Sequence, residues 1–261
     1  MFHWLRERRR RRLLDEPFPP WWEPILNRNV GHYLLLSPAE QSAMRDITRV
    51  LVAEKNWVGC GGMLITEEVK ITVAAQAAIP VLAADHEYYS RVDSVLVYPN
   101  EFRTPNPEDD FEDDELSDTI LAGQAWYRGP VIVAWNEVLE EGRDPGCGQN
   151  VVIHEFVHQI DFLDYEANGA PPIKDPALAK RWQTAMAAAY KVHKAELDRG
   201  DETFFTAHAG ESETEFFADA AEAFFCSPEG LREEFPDVYA VLAEYFKLAP
   251  ANWFSKRTKR G

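Results

Sequence analysis

Two histidines four residues apart, with a glutamate between them, constrain this chain more than any other feature. His154 and His158 flank Glu155 in the segment VVIHEFVHQID, which is otherwise rich in Val, Ile and Phe. Residues i and i+4 lie on one face of an α-helix, so both imidazoles can approach a single metal ion. The apolar neighbours indicate a buried helix, in which polar side chains need partners. The pattern therefore predicts a buried helix over 149–163 that holds zinc.

Glu155 occupies the position expected of a general base. It lies about 100° around the helix from His154, so it cannot easily bind the same ion as both histidines, whereas it can reach a water on the ion's open side. The H-E-x-x-H pattern is short and also arises by chance. The alternative is a pair of hydrogen-bonded core histidines on an amphipathic helix, and the strongly apolar setting favours the metal site.

A catalytic zinc needs a third protein ligand, and the sequence leaves its identity open. Residue 164 is Asp164, so the chain lacks the HExxHxxGxxH extension. Further histidines stand at His3, His32, His86, His193 and His208. Glu215 is the leading carboxylate candidate, but Ser212 to Glu215 also fits a capping box, which would direct that carboxylate to the backbone of Ser212. Glu222, one heptad later on much the same face, is the other alternative, and if it is not a ligand it is a candidate to orient one.

Two aspartates and one strand complete the candidate site. Asp161 follows His158 by three residues and Asp219 follows Glu215 by four, so each can orient a ligand or be a solvated helix charge. The segment 131–135 reads as a strand just before the metal helix, and an extended peptide can pair with an exposed edge strand. The candidate substrate-binding residues there are Val131, Val133 and Trp135. The alternative is an ordinary core strand.

Local patterns predict an α+β chain that is rich in helix and has a small mixed sheet. Ser37, Pro38 and Glu40 together are typical of a helix start. Predicted helices cover 38–55, 67–84, 149–163, 176–199, 213–226 and 236–247, and predicted strands cover 94–98 and 131–135. The expected organisation is an irregular basic arm rich in Pro and Trp (1–28), a metallopeptidase domain (29–250) and a basic tail (251–261).

Charge and cysteine content restrict partners and compartment. The chain has 27 basic and 44 acidic residues, a net charge of −17, which argues against general nucleic-acid binding. Three cysteines without a CxxC pair favour a reducing cytosol. No apolar signal core follows the N-terminal arginines, and no run of apolar residues is long enough to span a membrane. The basic arm and the acidic run 108–115 are each expected to be solvated. For the arm, the alternatives are contact with anionic lipid, with nucleic acid or with the acidic run.

Beyond these patterns, the chain resembles the Mlc titration factor A metallopeptidases over residues 34–246. The blocks that carry the resemblance are VLVYPNEF at 95–102, GQAW..GPVIVAW at 123–135, VVIHEFVHQID at 151–161, the NGAP-type loop at Asn168 and TEFFADAAEAFF at 214–225. Their spacing also matches. The set is far more specific than H-E-x-x-H alone.

The resemblance implies a zincin-like fold and a gluzincin-like ligand set. One Zn²⁺ per chain is then held by His154, His158 and Glu215, because the family's A-E-x-F-A motif falls on 214–218, and Glu155 is the base. It also implies hydrolysis of a peptide or protein substrate. More specifically, it implies an aminopeptidase that has a regulatory role. The alternative is a regulatory protein that keeps the scaffold and sequesters a transcriptional repressor. The expected location is the cytoplasm.

One position departs from the family pattern. The family often places a tyrosine that faces the zinc seven residues before the glutamate ligand, and here that residue is His208. Tyrosine and histidine can each donate a hydrogen bond to a developing oxyanion. We predict that His208 faces the zinc and assists catalysis without being an essential ligand. The alternative is a surface histidine in a flexible loop.

Overall fold

The structure is a computed structural model that describes residues 2–84, 89–100 and 129–258. The acidic run 108–115 and His86 lie outside the described residues. The helices are α1 (Phe2–Asp15), α2 (Glu23–Asn29), α3 (Gly31–Leu35), α4 (Pro38–Glu54), α5 (Glu67–Ala77), α6 (Trp135–Arg143), α7 (Val151–Asp161), α8 (Pro176–Arg199), α9 (Glu213–Cys226), α10 (Pro228–Glu234), α11 (Pro236–Phe246) and α12 (Ala251–Thr258). The strands are β1 (Asn56–Gly59), β2 (Ser94–Tyr98) and β3 (Val131–Ala134).

The three described strands form one parallel sheet in the order β1-β2-β3. Val95 pairs with Val131 and Val97 pairs with Val133, and all four side chains are buried. The prediction of a mixed sheet is therefore wrong for the described strands. A long segment containing α5 connects β1 to β2, and such a crossover returns the chain in the same direction.

Some element boundaries differ from the sequence prediction for local reasons. Trp135 does not extend β3 but begins α6, so it is not a strand residue. The helix predicted over 67–84 ends at Ala77 and is followed by a single 3₁₀ turn, Ile79–Val81. Pro80 in that turn lacks the backbone N–H that a continuing α-helix needs.

The basic N-terminal segment is helical and packed, so the prediction of an irregular arm is wrong for its described part. In α1, the Arg10 guanidinium contacts the Glu54 carboxylate of α4 at 2.7 Å. Trp22 and Leu26 are buried in the hydrophobic core. The sequence pattern missed this helix because its stabilising partner is more than forty residues away.

The C-terminal segment also contributes to the packed domain. Trp253 of α12 is buried, and its indole N–H donates to Glu40 Oε1 at 3.0 Å.

Within the described parts of the chain, no helix combines the length and the hydropathy needed to cross a bilayer. Helix α7, which carries the H-E-x-x-H segment, packs against α5, α9 and β3.

Candidate metal centre

Helix α7 carries the H-E-x-x-H segment with its polar face turned towards α9. Asn150 caps the helix, because its Oδ1 accepts a hydrogen bond from the Ile153 amide at 2.9 Å. The apolar positions Val152, Ile153, Phe156, Val157 and Ile160 are all buried. Their burial holds the helix in one rotational setting, and both histidines lie on the other side.

Three donor atoms converge between α7 and α9. The Nε2 atoms of His154 and His158 lie 3.2 Å apart, and each is 3.2 Å from Glu215 Oε2. Metal–ligand bonds of about 2.0–2.1 Å in a tetrahedral site place neighbouring donors roughly 3.3 Å apart. Two imidazoles and one carboxylate are also the donor types that catalytic zinc binds. The types and the spacing of the three donors therefore fit a metal ion such as zinc.

Glu215 directs its carboxylate to the histidines and not to the start of its own helix. Ser212 Oγ accepts a hydrogen bond from the Glu215 amide at 3.1 Å. The reciprocal bond of a capping box, from the Ser212 amide to Glu215, is absent between these two described residues. Burial by itself raises the pKa of Glu215, but His154 and His158 together lower that pKa well below its usual range.

The second nitrogen of His154 faces two other carboxylates. His154 Nδ1 lies 3.3 Å from Glu222 Oε2 and 3.4 Å from Asp219 Oδ1. A carboxylate on one imidazole nitrogen fixes the tautomer that presents the other nitrogen to a metal. Burial lowers the pKa of His154, but Asp219, Glu215 and Glu222 together raise it well above its ordinary value. The same negative potential favours a bound cation.

Asp219 and Glu222 are themselves fixed by the surrounding backbone. Asp219 Oδ2 accepts hydrogen bonds from the Thr206 hydroxyl at 2.5 Å and the Thr206 amide at 3.2 Å. Glu222 Oε1 accepts from the Asn150 amide at the start of α7. Asp219, Glu222 and His154 also lie close enough together to hold an ion. That group contains only one imidazole and its carboxylates already accept hydrogen bonds, so we assign it to positioning His154.

Glu141 contacts the start of α7 beside these carboxylates, and no sequence pattern indicates this contact. Its Oε2 accepts a hydrogen bond from the Val151 amide at 2.6 Å, in the first turn of α7. Burial raises the pKa of Glu141 to about 7, opposed by the Val151 hydrogen bond and reinforced by Glu222. Glu141 lies on the amphipathic helix α6, where an acidic residue is expected to be solvated. Its contact depends on how α6 packs against α7.

Replacing Glu141 with glutamine is expected to make stability less dependent on pH. A carboxyl whose folded pKa is raised contributes stability that is present below its unfolded pKa and is lost as pH rises through about 7. The free energy of unfolding of the wild-type protein should therefore fall by about 1 kcal/mol more than that of the variant as the pH rises from about 4.5 to about 7. Urea unfolding at both pH values measures it, with exposed Glu140→Gln as the control. Parallel pH profiles would contradict the expectation.

Asp161, for which the sequence leaves open an orienting role or a solvated helix charge, is buried at the end of α7. Its Oδ2 accepts from the Gly169 amide at 3.0 Å, which holds the loop after α7. Burial raises the pKa of Asp161 to about 6, while Gly169 and His158 oppose the rise. Among the described residues, the buried atoms His158 Nδ1 and Asp161 Oδ1 have no hydrogen-bond partner. Asp161 therefore orders a loop beside the site.

Glu155 and His208 flank the three donors without belonging to the mutually close group. Burial raises the pKa of Glu155, and His158 and His154 oppose the rise. His208 Nε2 lies 3.0 Å from Glu215 Oε2, and its ring stacks on that of His154 with centroids 6.1 Å apart. The His208 side chain is 51% exposed, so it borders solvent at the mouth of the site.

The remaining candidates lie away from the three donors. His32 is buried in the core, where its Nε2 is 3.0 Å from the Phe225 carbonyl, and burial lowers its pKa to about 4. His193 is buried against the rings of Phe205 and Phe216. Val131 and Val133 are also buried, so only the main chain of β3 is available for pairing with a peptide. Among the described strands, β3 is at the edge of the sheet.

One family model and several relatives match most of the chain. The sequence model of the glucose-regulated metallo-peptidase M90 family matches residues 4–247. The chain is 32% identical to the uncharacterized protein slr2042 of Synechocystis sp., covering 95% of this chain and 90% of that protein. It is 31% identical to Mlc titration factor A of Serratia proteamaculans, covering 83% and 84%. The protein of that name from Yersinia enterocolitica is 28% identical, covering 90% and 87%.

Proposed function

Because the chain belongs to the glucose-regulated metallopeptidase M90 family, we propose that it is a zinc-dependent peptidase with a zincin-like, gluzincin-type site. The observation that carries the proposal is the triangle of His154, His158 and Glu215, whose donor atoms are 3.2 Å apart. A purely structural metal site needs no base beside it, whereas Glu155 is adjacent to the triangle. Peptide hydrolysis is a reaction that uses all four residues.

Each residue has a distinct task in the proposed reaction. When bound, zinc lowers the pKa of a water to roughly 7 and polarises the scissile carbonyl. Glu155 accepts the proton of the attacking water, the water oxygen bonds to the carbonyl carbon, and the carbon–nitrogen bond breaks. Glu155 then delivers the proton to the leaving amine. The burial that raises the pKa of Glu155 favours holding a proton between these two transfers.

Substrate binding is proposed to use the main chain of β3. A peptide that pairs with β3 as an additional strand would run past α7, since α7 packs against β3. The side chains of Val131 and Val133 would then support the strand from the core, and Trp135 would contribute through helix α6. Aminopeptidase activity is a finer form of the same proposal, which requires the site to accept the substrate's free amino terminus.

A digest of a peptide library tests the function directly. We expect cleavage by purified protein, loss of cleavage after chelation and recovery when Zn²⁺ is restored. The positions of the cut sites relative to the amino terminus distinguish an aminopeptidase from an endopeptidase. A protein that keeps its metal yet cleaves no peptide in the library would contradict the proposal.

A second proposal is regulatory binding, which is favoured by the name Mlc titration factor A of two relatives. In this proposal the chain sequesters a transcriptional repressor, with or without hydrolysis. Binding of a purified repressor to wild-type and Glu155→Gln protein distinguishes the two functions, because binding alone does not require the base.

Free cysteines at Cys60, Cys147 and Cys226 support a cytoplasmic location.

Replacing His208 with alanine is expected to lower turnover by about 10–10³-fold, as expected for the loss of one oxyanion donor. The imidazole is 3.0 Å from Glu215 Oε2 but outside the group of three donors, so zinc content should barely change. His208→Tyr should recover part of the rate, because a phenol can donate the same hydrogen bond. Turnover and elemental analysis of the three proteins provide the measurement. Unchanged turnover in His208→Ala would refute the role, and loss of zinc would make His208 a ligand.

A further inference from the structure

The exposed side of α1 concentrates positive charge on an otherwise acidic protein. The helix contains six arginines and two acidic residues, whereas the whole chain has 27 basic and 44 acidic residues. Arg8, Arg9, Arg11 and Arg12 are exposed. Among the described residues, none of these four forms an ion pair, and only Arg9 bonds to the body of the protein, through the Ala53 carbonyl at 3.4 Å.

These arginines share one face with two exposed apolar side chains. At 100° per residue, the following side chains fall within an arc of about 160°. This basic face consists of Trp4, Leu5, Arg8, Arg9, Arg11 and Arg12. Trp4 is 59% and Leu5 is 51% exposed, and the Arg8 guanidinium lies 5.6 Å from the centre of the Trp4 ring. Asp15, at the last position of α1, is the one carboxylate on this arc.

The opposite side of α1 attaches the helix to the domain. Arg10 is buried and its guanidinium binds Glu54 at 2.8 and 2.7 Å. The Arg49 side chain of α4 donates to the Leu13 carbonyl. These contacts hold α1 in one orientation, so the basic face is presented to solvent as a fixed surface.

We propose that the basic face binds the surface of an anionic lipid bilayer. Four guanidinium groups complement lipid phosphates, and arginine near an anionic membrane surface contributes about fivefold to partitioning. Tryptophan and leucine beside them are favourable at the boundary between headgroups and acyl chains, where their exposed apolar area leaves water. An exposed leucine gives no advantage against a nucleic-acid backbone, whereas its apolar area leaves water at the boundary between lipid headgroups and acyl chains. The apolar pair therefore favours the membrane.

Co-sedimentation with vesicles tests the proposal on the full-length, metal-loaded protein. We expect binding to phosphatidylcholine vesicles that contain phosphatidylglycerol, little binding to pure phosphatidylcholine, and release at high salt. The combined variant Arg8→Gln, Arg11→Gln, Arg12→Gln should bind anionic vesicles about 10²-fold more weakly. The matched control replaces exposed Lys180, Lys191 and Arg232 with glutamine and should retain most of the binding.

Two further measurements separate this surface from other partners. Brominated lipids should quench the tryptophan fluorescence of wild-type protein more than that of Trp4→Phe. Duplex DNA of equal phosphate concentration should bind more weakly than anionic vesicles. Equal losses of vesicle binding in the arginine variant and its control, equal binding to neutral vesicles, or tighter binding to DNA would each overturn the proposal. Peptide hydrolysis should be unchanged in both combined variants, because none of their positions lies in the metal centre.

Discussion

Replacing Glu155 with glutamine is expected to lower the turnover number for peptide hydrolysis by about 10²–10⁴-fold, with zinc content and fold unchanged. The amide has nearly the shape of the carboxylate but cannot accept a proton from water. Glu155 is also outside the group formed by His154, His158 and Glu215, so the ion keeps its three protein ligands. Turnover on a cleaved library peptide, elemental analysis and circular dichroism measure the three quantities.

A matched control shows whether the loss belongs to this carboxylate. Glu229→Gln removes the same charge from an exposed position on α10, far along the chain from the metal helix, and should retain full turnover. If Glu155→Gln keeps most of its turnover while its zinc content is normal, another group must accept the proton. The proposed mechanism would then be wrong, but the assignment of His154, His158 and Glu215 as metal ligands would be unaffected.

Replacing His154 with alanine is expected to remove most of the zinc and, with it, peptide hydrolysis. Wild-type protein should hold about one zinc per chain. His154 contacts the Glu215 carboxylate through Nε2 and the Glu222 carboxylate through Nδ1. Removing a carboxylate that orients a ligand costs about 10–100-fold in metal affinity, so loss of the ligand itself should exceed about 10²-fold. Elemental analysis after dialysis against metal-free buffer measures the content.

Replacing Glu222, whose carboxylate contacts His154 Nδ1, should have a smaller effect on zinc content than replacing His154. Glu222→Gln keeps all three ligands but weakens the hold on His154, so its zinc affinity should fall by about 10–100-fold. The order of zinc retention is expected to be wild type, Glu222→Gln and then His154→Ala. Circular dichroism identifies any variant that fails to fold. Full zinc retention by folded His154→Ala would remove His154 from the site.

Local chemistry made several elements predictable from the sequence. The capping box at Ser37 and Glu40 is formed as expected, with both reciprocal hydrogen bonds. Strand β2 spans the predicted Ser94–Tyr98, and α8 and α9 span the predicted ranges 176–199 and 213–226. These elements are determined by residues within a few positions of one another, such as an N-cap, a first-turn proline or a run of β-branched side chains.

Elements stabilised by distant partners were not predictable in this way. Arg10 makes α1 a packed helix through Glu54, and no pattern within 1–28 indicates that partner. The parallel pairing of β1 with β2 requires the long connection that contains α5, and a strand pattern does not encode that connection. Trp135 continues an apolar run in the sequence, yet it starts helix α6.

For the metal centre, the sequence by itself determined that His154 and His158 share one face of a helix, since a spacing of four residues does this in any α-helix. It did not determine which carboxylate meets which nitrogen. The packing of α9 against α7 puts Glu215 beside both Nε2 atoms and puts Glu222 and Asp219 beside His154 Nδ1. It is the distance and rotation between the two helices that make these assignments. They are set by the buried side chains between the helices, whose interlocking shapes no spacing along the chain records.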